Sequence, residues 1–209
     1  MPGQPTLKIN EIFRSFQGEG LNAGIPCVFL RLSGCSLRCP YCDTVYSWEE
    51  GKFMPIDSII SQIGSHQSKF PHSRVVLTGG EPLEQEVSVL VENLKKKNYY
   101  VAIETNGCLY RDIAVDWWTV SPKDVTGYRI HQKLFDKIDE VKLIVNRNLN
   151  IDVIKEIRKI GESFPIFLQP DWYDKDKYKH TFRLYEQCVA QGIPNIRPGI
   201  QLHKIYDVS

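Results

Sequence analysis

Apolar and polar positions change period repeatedly along this chain, and each change marks a new element. Ile56, Ile59, Ile60 and Ile63 stand at i, i+3, i+4 and i+7, one face of a helix. Val87, Leu90, Val91 and Leu94 repeat that spacing. The basic run Lys95–Lys97 then closes the second helix, where cations complement the dipole, and reads as a solvated end. Between the two helices Val75–Thr78 is a short, mostly apolar run of strand length. Further strands are predicted at Lys8–Phe13, Cys27–Leu32, Tyr99–Ile103, Trp117–Val120, Val141–Val145, Pro165–Leu168 and Ile196–Leu202. Asp152 is placed to cap a helix running through Ile160, with Gly161 just beyond its end. A last helix is expected from about Tyr178 to Ala190. Strands alternating with helices indicate βα units and a largely parallel sheet. No repeat, linker or low-complexity block divides the chain, so one domain over residues 1–209 is expected.

The turns add a second regularity. Gly79-Gly-Glu-Pro82, Glu104-Thr-Asn-Gly107, Ser121-Pro-Lys123 and Gln169-Pro170 each fall at or just after the end of a predicted strand. So does a cysteine-rich loop from about residue 33 to 55. In βα barrels the C-terminal strand ends converge on one face, and that face carries the active site. The chain is short for an eight-unit barrel of about 250 residues. The expectation is therefore an α/β fold, a partial, open βα barrel of about six strands. A flat doubly wound sheet is the alternative.

The loop reads Cys35-Ser-Leu-Arg-Cys39-Pro-Tyr-Cys42-Asp-Thr44. Three thiols at a C-x3-C-x2-C spacing can wrap one inorganic centre. Iron–sulfur cubes usually take four thiolates, so three leave one iron open. A zinc knuckle completed by Cys27, Cys108 or a histidine is the alternative. The remaining cysteines, Cys27, Cys108 and Cys188, read as small buried hydrophobes.

Composition narrows the classes. The chain has 209 residues, 42% of them hydrophobic, enough for a substantial core, and 24% charged. A net charge of +1 gives no basic field for nucleic acid. No apolar run approaches the roughly 20 residues of a membrane helix. The start, MPGQPTLKINEIF, lacks the apolar core of a signal peptide. The expected compartment is the cytoplasm, where thiols stay reduced.

The cysteine spacing followed by Gly79-Gly-Glu-Pro82 resembles the radical S-adenosylmethionine (SAM) enzymes. That resemblance implies a [4Fe–4S] cluster whose open iron is chelated by SAM, and cleavage of SAM to a 5′-deoxyadenosyl radical. A closer resemblance follows from Phe16-Gln-Gly-Glu-Gly20, Phe29-Leu-Arg-Leu32, Gly34-Cys35, Cys42-Asp-Thr44, Thr78, Glu104-Thr-Asn-Gly107, Ser121-Pro-Lys123, Leu168-Gln-Pro170 and Gln201-Leu-His-Lys204. In this order they resemble the 7-carboxy-7-deazaguanine synthase family over nearly the whole chain. The resemblance implies ring contraction of 6-carboxy-5,6,7,8-tetrahydropterin with loss of ammonia, a carbon–nitrogen lyase step of queuosine and other deazapurine biosynthesis. SAM would be regenerated rather than consumed.

Carried over by position, Cys35, Cys39 and Cys42 would hold the cluster and Thr44 a magnesium ion. Tyr41, Cys42, Asp43, Gly80, Ser121, Pro122, Lys123 and Gln169 would line SAM. Phe16, Gln17, Gly18, Glu19, Arg31, Thr78, Glu104 and His203 would meet the pterin. Arg31 and Glu104 are expected to form opposite ends of a clamp, a guanidinium fork for the substrate carboxylate and a carboxylate for the pyrimidine edge. A hydroxyl such as that of Thr44 suits a magnesium ion that keeps waters and substrate oxygens. Trp117 and Trp118 offer a candidate stacking platform, with core packing the expected role of at least one. The resemblance also implies a homodimer, a reductant protein such as flavodoxin or ferredoxin, and no nucleic-acid or membrane partner. The competing functions are a glycyl-radical activating enzyme, which shares the cysteine and glycine motifs, and a zinc-stabilised binding module.

Overall fold

Hydrogen bonds run in sequence order across most of this sheet, and that order gives the fold its curvature. The computed structural model describes residues 5–208. Residues 1–4 and 209, which include the ends of the expected domain span and the first residues of the N-terminus read as leader-free, lie outside the described residues. Nine strands form: β1 (Thr6–Phe16), β2 (Pro26–Leu32), β3 (Lys52–Pro55), β4 (Arg74–Gly79), β5 (Val101–Thr105), β6 (Trp117–Val120), β7 (Glu140–Val145), β8 (Ile166–Pro170) and β9 (Ile196–Pro198). Their order is β3-β1-β2-β4-β5-β6-β7-β8-β9. From β2 onward every pairing is parallel. The order never reverses, so there is no switch point of the doubly wound kind, and the two edges, β3 and β9, do not pair with each other. This is the expected open, partial βα barrel. Its parallel part has seven strands instead of about six, and antiparallel β1 and β3 extend one edge.

Among the described residues five α-helices accompany the strands: α1 (Ile56–Lys69), α2 (Ser88–Lys96), α3 (Ile151–Arg158), α4 (Lys177–Ala190) and α5 (Leu202–Ile205). The predicted isoleucine stripe of α1 is buried, as are Leu90, Val91 and Leu94 of α2. They pack with Val28, Leu30, Leu32, Val75, Leu77, Val101, Ile103, Val141, Leu143, Ile166 and Leu168, alternate residues of the strands, in one continuous core. A fully buried side chain of this kind contributes about 1.5–3 kcal/mol.

The other set of alternate residues faces the barrel interior. Near the N-terminal ends of the strands this interior is apolar, with Cys27, Phe29, Val76 and Ala102 packed on Phe13, Tyr100 and Trp117. One step further along, the same face turns polar. Arg31 pairs in register with Thr78, Glu104 with Thr119, and Thr119 with Glu140. Phe167 and Gln169 on β8 stand opposite Lys142 and Ile144. The apolar floor therefore carries a belt of polar side chains, set by the two-residue period of the strands.

Several local expectations change. The loop after β2 ends at Gly51, because residues 52–55 form β3 against β1. Asn150 caps α3 in place of Asp152: its side chain accepts from the backbone N–H of Asp152 and Val153 at 3.0 and 3.2 Å. Asx side chains cap from the position just outside the helix, and Asp152 already lies inside. That helix ends at Arg158, two residues short of Ile160. The last strand stops at Pro198, and Leu202 opens α5. Cys27 and Cys188 are buried as expected, but Cys108 is only half-buried in the turn after β5. Lys96 and Lys97 are exposed as expected, while half-exposed Lys95 also pairs with Asp116 at 2.5 Å. Trp118 enters the main core and Trp117 the interior floor, so neither is a free stacking surface.

Replacing Asn150 with Ala should remove one cap and lower unfolding free energy by about 1 kcal/mol. Urea denaturation measures it. A midpoint equal to that of the parent would show that Asp152 or water supplies the cap.

Candidate active site

The cysteine loop leaves the sheet at Leu32 and is held down at both ends. The Gly34 amide donates to Ser47 O at 2.8 Å, and the Glu81 amide donates to Gly34 O at 2.7 Å. The Gly80 amide donates to Leu32 O at 2.9 Å. Ser36 donates through its amide and hydroxyl to Glu84, at 2.8 and 2.6 Å. The loop is thus stitched to the turn after β4. Further along, the Tyr41 hydroxyl donates to Asp124, whose other oxygen accepts from Asn146 and Asn148 at 3.0 and 2.7 Å. Tyr41 therefore ties the loop to the turns after β6 and β7. Lys204 on α5 donates to Asp43 at 2.8 Å, a third anchor.

All three loop cysteines are free, Cys39 buried and Cys35 and Cys42 half-buried. Burial pushes the Cys35 thiol up, against the pull of the Leu37 and Arg38 amides. Burial also raises Cys39, against the charge of Lys123. No trio of His, Cys, Asp or Glu among the described residues converges on a single ion. What fits a cluster is the donor set: three unpaired thiols on one short loop, all facing one cavity.

That cavity has a volume of about 420 Å³. The three cysteines line it together with Tyr41, Asp43 and Thr44. Gly80, Ser121, Lys123 and Gln169 line it from the other strand ends. Phe16 enters from the end of β1, Gln17, Gly18 and Glu19 from the β1–β2 connection, Arg31, Thr78 and Glu104 from the belt, and His203 from α5. Pro122 alone of the expected residues does not reach it, being buried between Ser121 and Lys123. Gln169 is 1% exposed and both polar atoms of its amide lack a partner in the protein. An orphaned buried amide on a cavity wall fits a bound polar ligand. Thr44 Oγ1 lies 3.5 Å from Cys42 Sγ.

The two ends of the expected clamp line the same cavity, yet each has a partner within the protein. Arg31 Nε donates to Glu11 at 2.7 Å, and the guanidinium lies 5.5 and 5.8 Å from the ring centres of Phe13 and Tyr46. Among the described residues its η nitrogens have no hydrogen-bond partner. Glu104 accepts from Gln17 Nε2 at 2.8 Å and from Thr78 Oγ1 at 3.4 Å, and its Oε1 lies 3.2 Å from Lys142 Nζ.

Lys142 is the principal residue that sequence reasoning missed. Its side chain is 6% exposed, and its ammonium also donates to Glu19 at 2.7 Å. Burial alone would lower the Lys142 pKa, but Glu104, Glu19 and Glu140 together raise it well above the ordinary lysine value. Burial would raise Glu19, but the charge and hydrogen bond of Lys142 and the amide of Gln201 hold it down at about 2. Glu140, two residues earlier on β7, accepts from the Leu21 amide at 2.8 Å and from Thr119 Oγ1 at 2.9 Å. Burial pushes His203 down, against the pull of Glu19. Glu81, also missed, is 1% exposed and accepts from Thr105 Oγ1, the Asn106 amide and the Leu83 amide. It joins the turn after β4 to the turn after β5. The signal for Lys142 and Glu140 was present: two charges at period two inside a strand covered on both faces, where a parallel strand should be continuously apolar.

Comparison with known proteins agrees with this arrangement. The Radical SAM superfamily model matches residues 30–171, from the strand before the cysteine loop to the end of β8. A 7-carboxy-7-deazaguanine synthase of Aquifex aeolicus is 32% identical, covering 97% of this chain and 94% of the relative. That of Bacteroides thetaiotaomicron is 38% identical, with 96% and 98% covered. The crystal structure of QueE from Escherichia coli superposes with a TM-score of 0.76 at 29% identity, covering 95% of each chain. With the cysteine loop, the orphaned glutamine and the polar belt meeting in one cavity, the chain belongs to the radical SAM superfamily and, within it, to the 7-carboxy-7-deazaguanine synthase family.

Proposed function

We propose that this protein converts 6-carboxy-5,6,7,8-tetrahydropterin to 7-carboxy-7-deazaguanine with release of ammonia, serving queuosine or a related deazapurine pathway. The observation that carries the reading is one cavity shared by the cysteine loop and by the Gln17–Glu19 segment, in a chain aligned almost end to end with synthases of that name. A zinc-stabilised binding module does not accord with radical SAM membership. The activase reading has no support in these relatives.

Cys35, Cys39 and Cys42 would hold a [4Fe–4S] cluster, which together with SAM would supply the radical hydrogen-atom chemistry. The chain does the rest by position. Tyr41, Asp43, Gly80, Ser121, Lys123 and Gln169 enclose the SAM end; Pro122 contributes by shaping the Ser121–Lys123 turn. At the other end Arg31 offers its η nitrogens to the substrate carboxylate, a charge-assisted contact that Glu11 and two aromatic rings orient. Glu104 accepts from the pyrimidine edge, and Phe16, Gln17, Gly18, Glu19, Thr78 and His203 complete the wall. Thr44, beside the last cysteine, supplies one oxygen to magnesium. Such fixed placement matters because misplacing reacting atoms by about 1 Å can cost roughly a hundredfold in rate.

The proposal includes one working domain, a homodimer, and a small reductant protein such as flavodoxin or ferredoxin. It places the enzyme in the cytoplasm, where its free thiols stay reduced. No helix among the described residues is long and apolar enough to cross a membrane.

An anaerobic assay with SAM, reductant, magnesium and the pterin tests the reading. Deazaguanine product and ammonia should form while SAM is not consumed in proportion. No product from an enzyme with a full cluster would refute it. Alanine at Cys35, Cys39 or Cys42 should abolish stable cluster assembly, whereas alanine at Cys27, Cys108 or Cys188 should not. Iron and sulfide counts after reconstitution decide this, and normal content in the Cys39 variant would overturn the ligand set. Thr44→Val should weaken the response of the rate to magnesium and leave SAM affinity nearly intact. An unchanged magnesium titration removes Thr44 from that role.

A further inference from the structure

Lys142 has no part in the reading above, yet it is among the most deeply buried charged groups of the chain, at 5% exposure. Its ammonium lies 2.7 Å from Glu19 and 3.2 Å from Glu104. These carboxylates belong to segments far apart in sequence, the β1–β2 connection and β5. Both segments line the cavity, and both are also joined by Gln17, which donates to Glu104 at 2.8 Å.

Other charges facing the group have their own roles. Glu140 is held by the Leu21 amide and Thr119. His203 approaches Glu19 from α5, and Gln201 donates to the second Glu19 oxygen at 2.8 Å. Lys204 is engaged by Asp43. Lys142 is thus the cation hydrogen-bonded or ion-paired to both Glu19 and Glu104 among the described residues. Two carboxylates and one ammonium leave a single net negative charge. That suits a heterocycle edge rich in N–H donors. Without the ammonium, two carboxylates would face each other out of water, which is costly.

We propose that Lys142 is a positioning residue for the pterin: it clasps Glu19 and Glu104 so that one carboxylate meets the donor edge of the heterocycle in a fixed orientation. This rests on the pterin reading of the cavity. The lysine does not touch the reacting atoms; it sets where the second substrate sits relative to SAM.

The test uses the reconstituted enzyme and two equilibrium titrations, one with 6-carboxytetrahydropterin and one with SAM. Lys142→Met keeps length and removes charge. It should weaken pterin binding about 30-fold or more, and change SAM affinity less than about threefold. Lys142→Arg should retain most pterin affinity. The double variant Lys142→Met with Glu19→Gln restores a single net negative charge and should bind the pterin more tightly than Lys142→Met alone. A filler of space would not be rescued by a second loss.

Parent-like pterin affinity in Lys142→Met overturns the proposal. So does equal loss of pterin and SAM binding without rescue in the double variant, which would mark a structural lysine. If Lys142→Met does not fold by circular dichroism, the arginine and double variants decide: losing the pterin in both overturns it. Failure of the parent enzyme to bind the pterin would refute the substrate reading instead, because that titration involves no change at Lys142.

Discussion

A buried ammonium between two carboxylates is the constraint on which the interior of this barrel depends. The helix-facing side of the sheet is filled with branched aliphatic side chains, but the concave side cannot be filled that way and still hold a substrate. It carries a polar belt at one register across β2, β4, β5, β6 and β7. Taking ions out of water costs several kcal/mol each, which close pairing must offset. Lys142, Glu19 and Glu104 do so at hydrogen-bond distances. Glu140 meets the same need differently, with a backbone amide and a threonine hydroxyl. The belt is therefore satisfied largely within the protein before any ligand arrives. The orphaned amide of Gln169 and the unpaired η nitrogens of Arg31 are exceptions, and both lie on the cavity wall.

The motifs divide between binding and holding. From the sequence, only Gly80 of the GGEP turn is expected to line SAM. In the fold its glutamate is a brace, because Glu81 takes three donors from two neighbouring turns and is almost fully covered. Burial pushes its pKa up while those three bonds pull it down. A buried acceptor of this kind fixes the spacing of the turns after β4 and β5. The cysteine loop is fixed on its other side by Tyr41 and Asp124. The aromatic residue between the cysteines thus joins the loop to the strand ends opposite, whatever else its ring contacts.

How much of this could be read beforehand follows from the physics of each signal. Helix stripes and strand ends are local patterns, so α1, α2 and the strand-end turns were legible, and with them the single face of the site. Cap identity depends on one residue's backbone angles, and Asp152 lost to Asn150 for that reason. Proline and glycine at 198 and 199 were odd positions for a strand to cross, and β9 stops at Pro198. The pairings of Lys142 were not legible, because they link residues 123 and 38 positions away through the closing of the sheet. The charges within β7 did announce a functional interior, as did Glu104 in β5. They needed only to be read as departures from a two-sided apolar strand. Arg31 was placed correctly at the cavity, but its anchor Glu11 lies on antiparallel β1, which no motif marks.

The Gln-Gly-Glu-Gly segment shows why such a motif has so little freedom. A side chain at Gly18 would place its first carbon 2.1 Å from His203 Nδ1, so α5 can close over the loop only if this position is bare. Gly20 has a φ of +68°, and its added carbon would lie 2.3 Å from a Glu140 oxygen. It needs both the left-handed backbone and the space. Between them Glu19 reaches down to Lys142 while its other oxygen takes the Gln201 amide. Gln17 reaches across to Glu104. The Leu202 amide then donates to Gly18 O at 2.9 Å, locking the C-terminal segment onto the same turn. Two glycines admit neighbours and two polar side chains grip them. A loop between antiparallel strands, at the barrel's edge by chain order, thereby becomes part of the cavity wall.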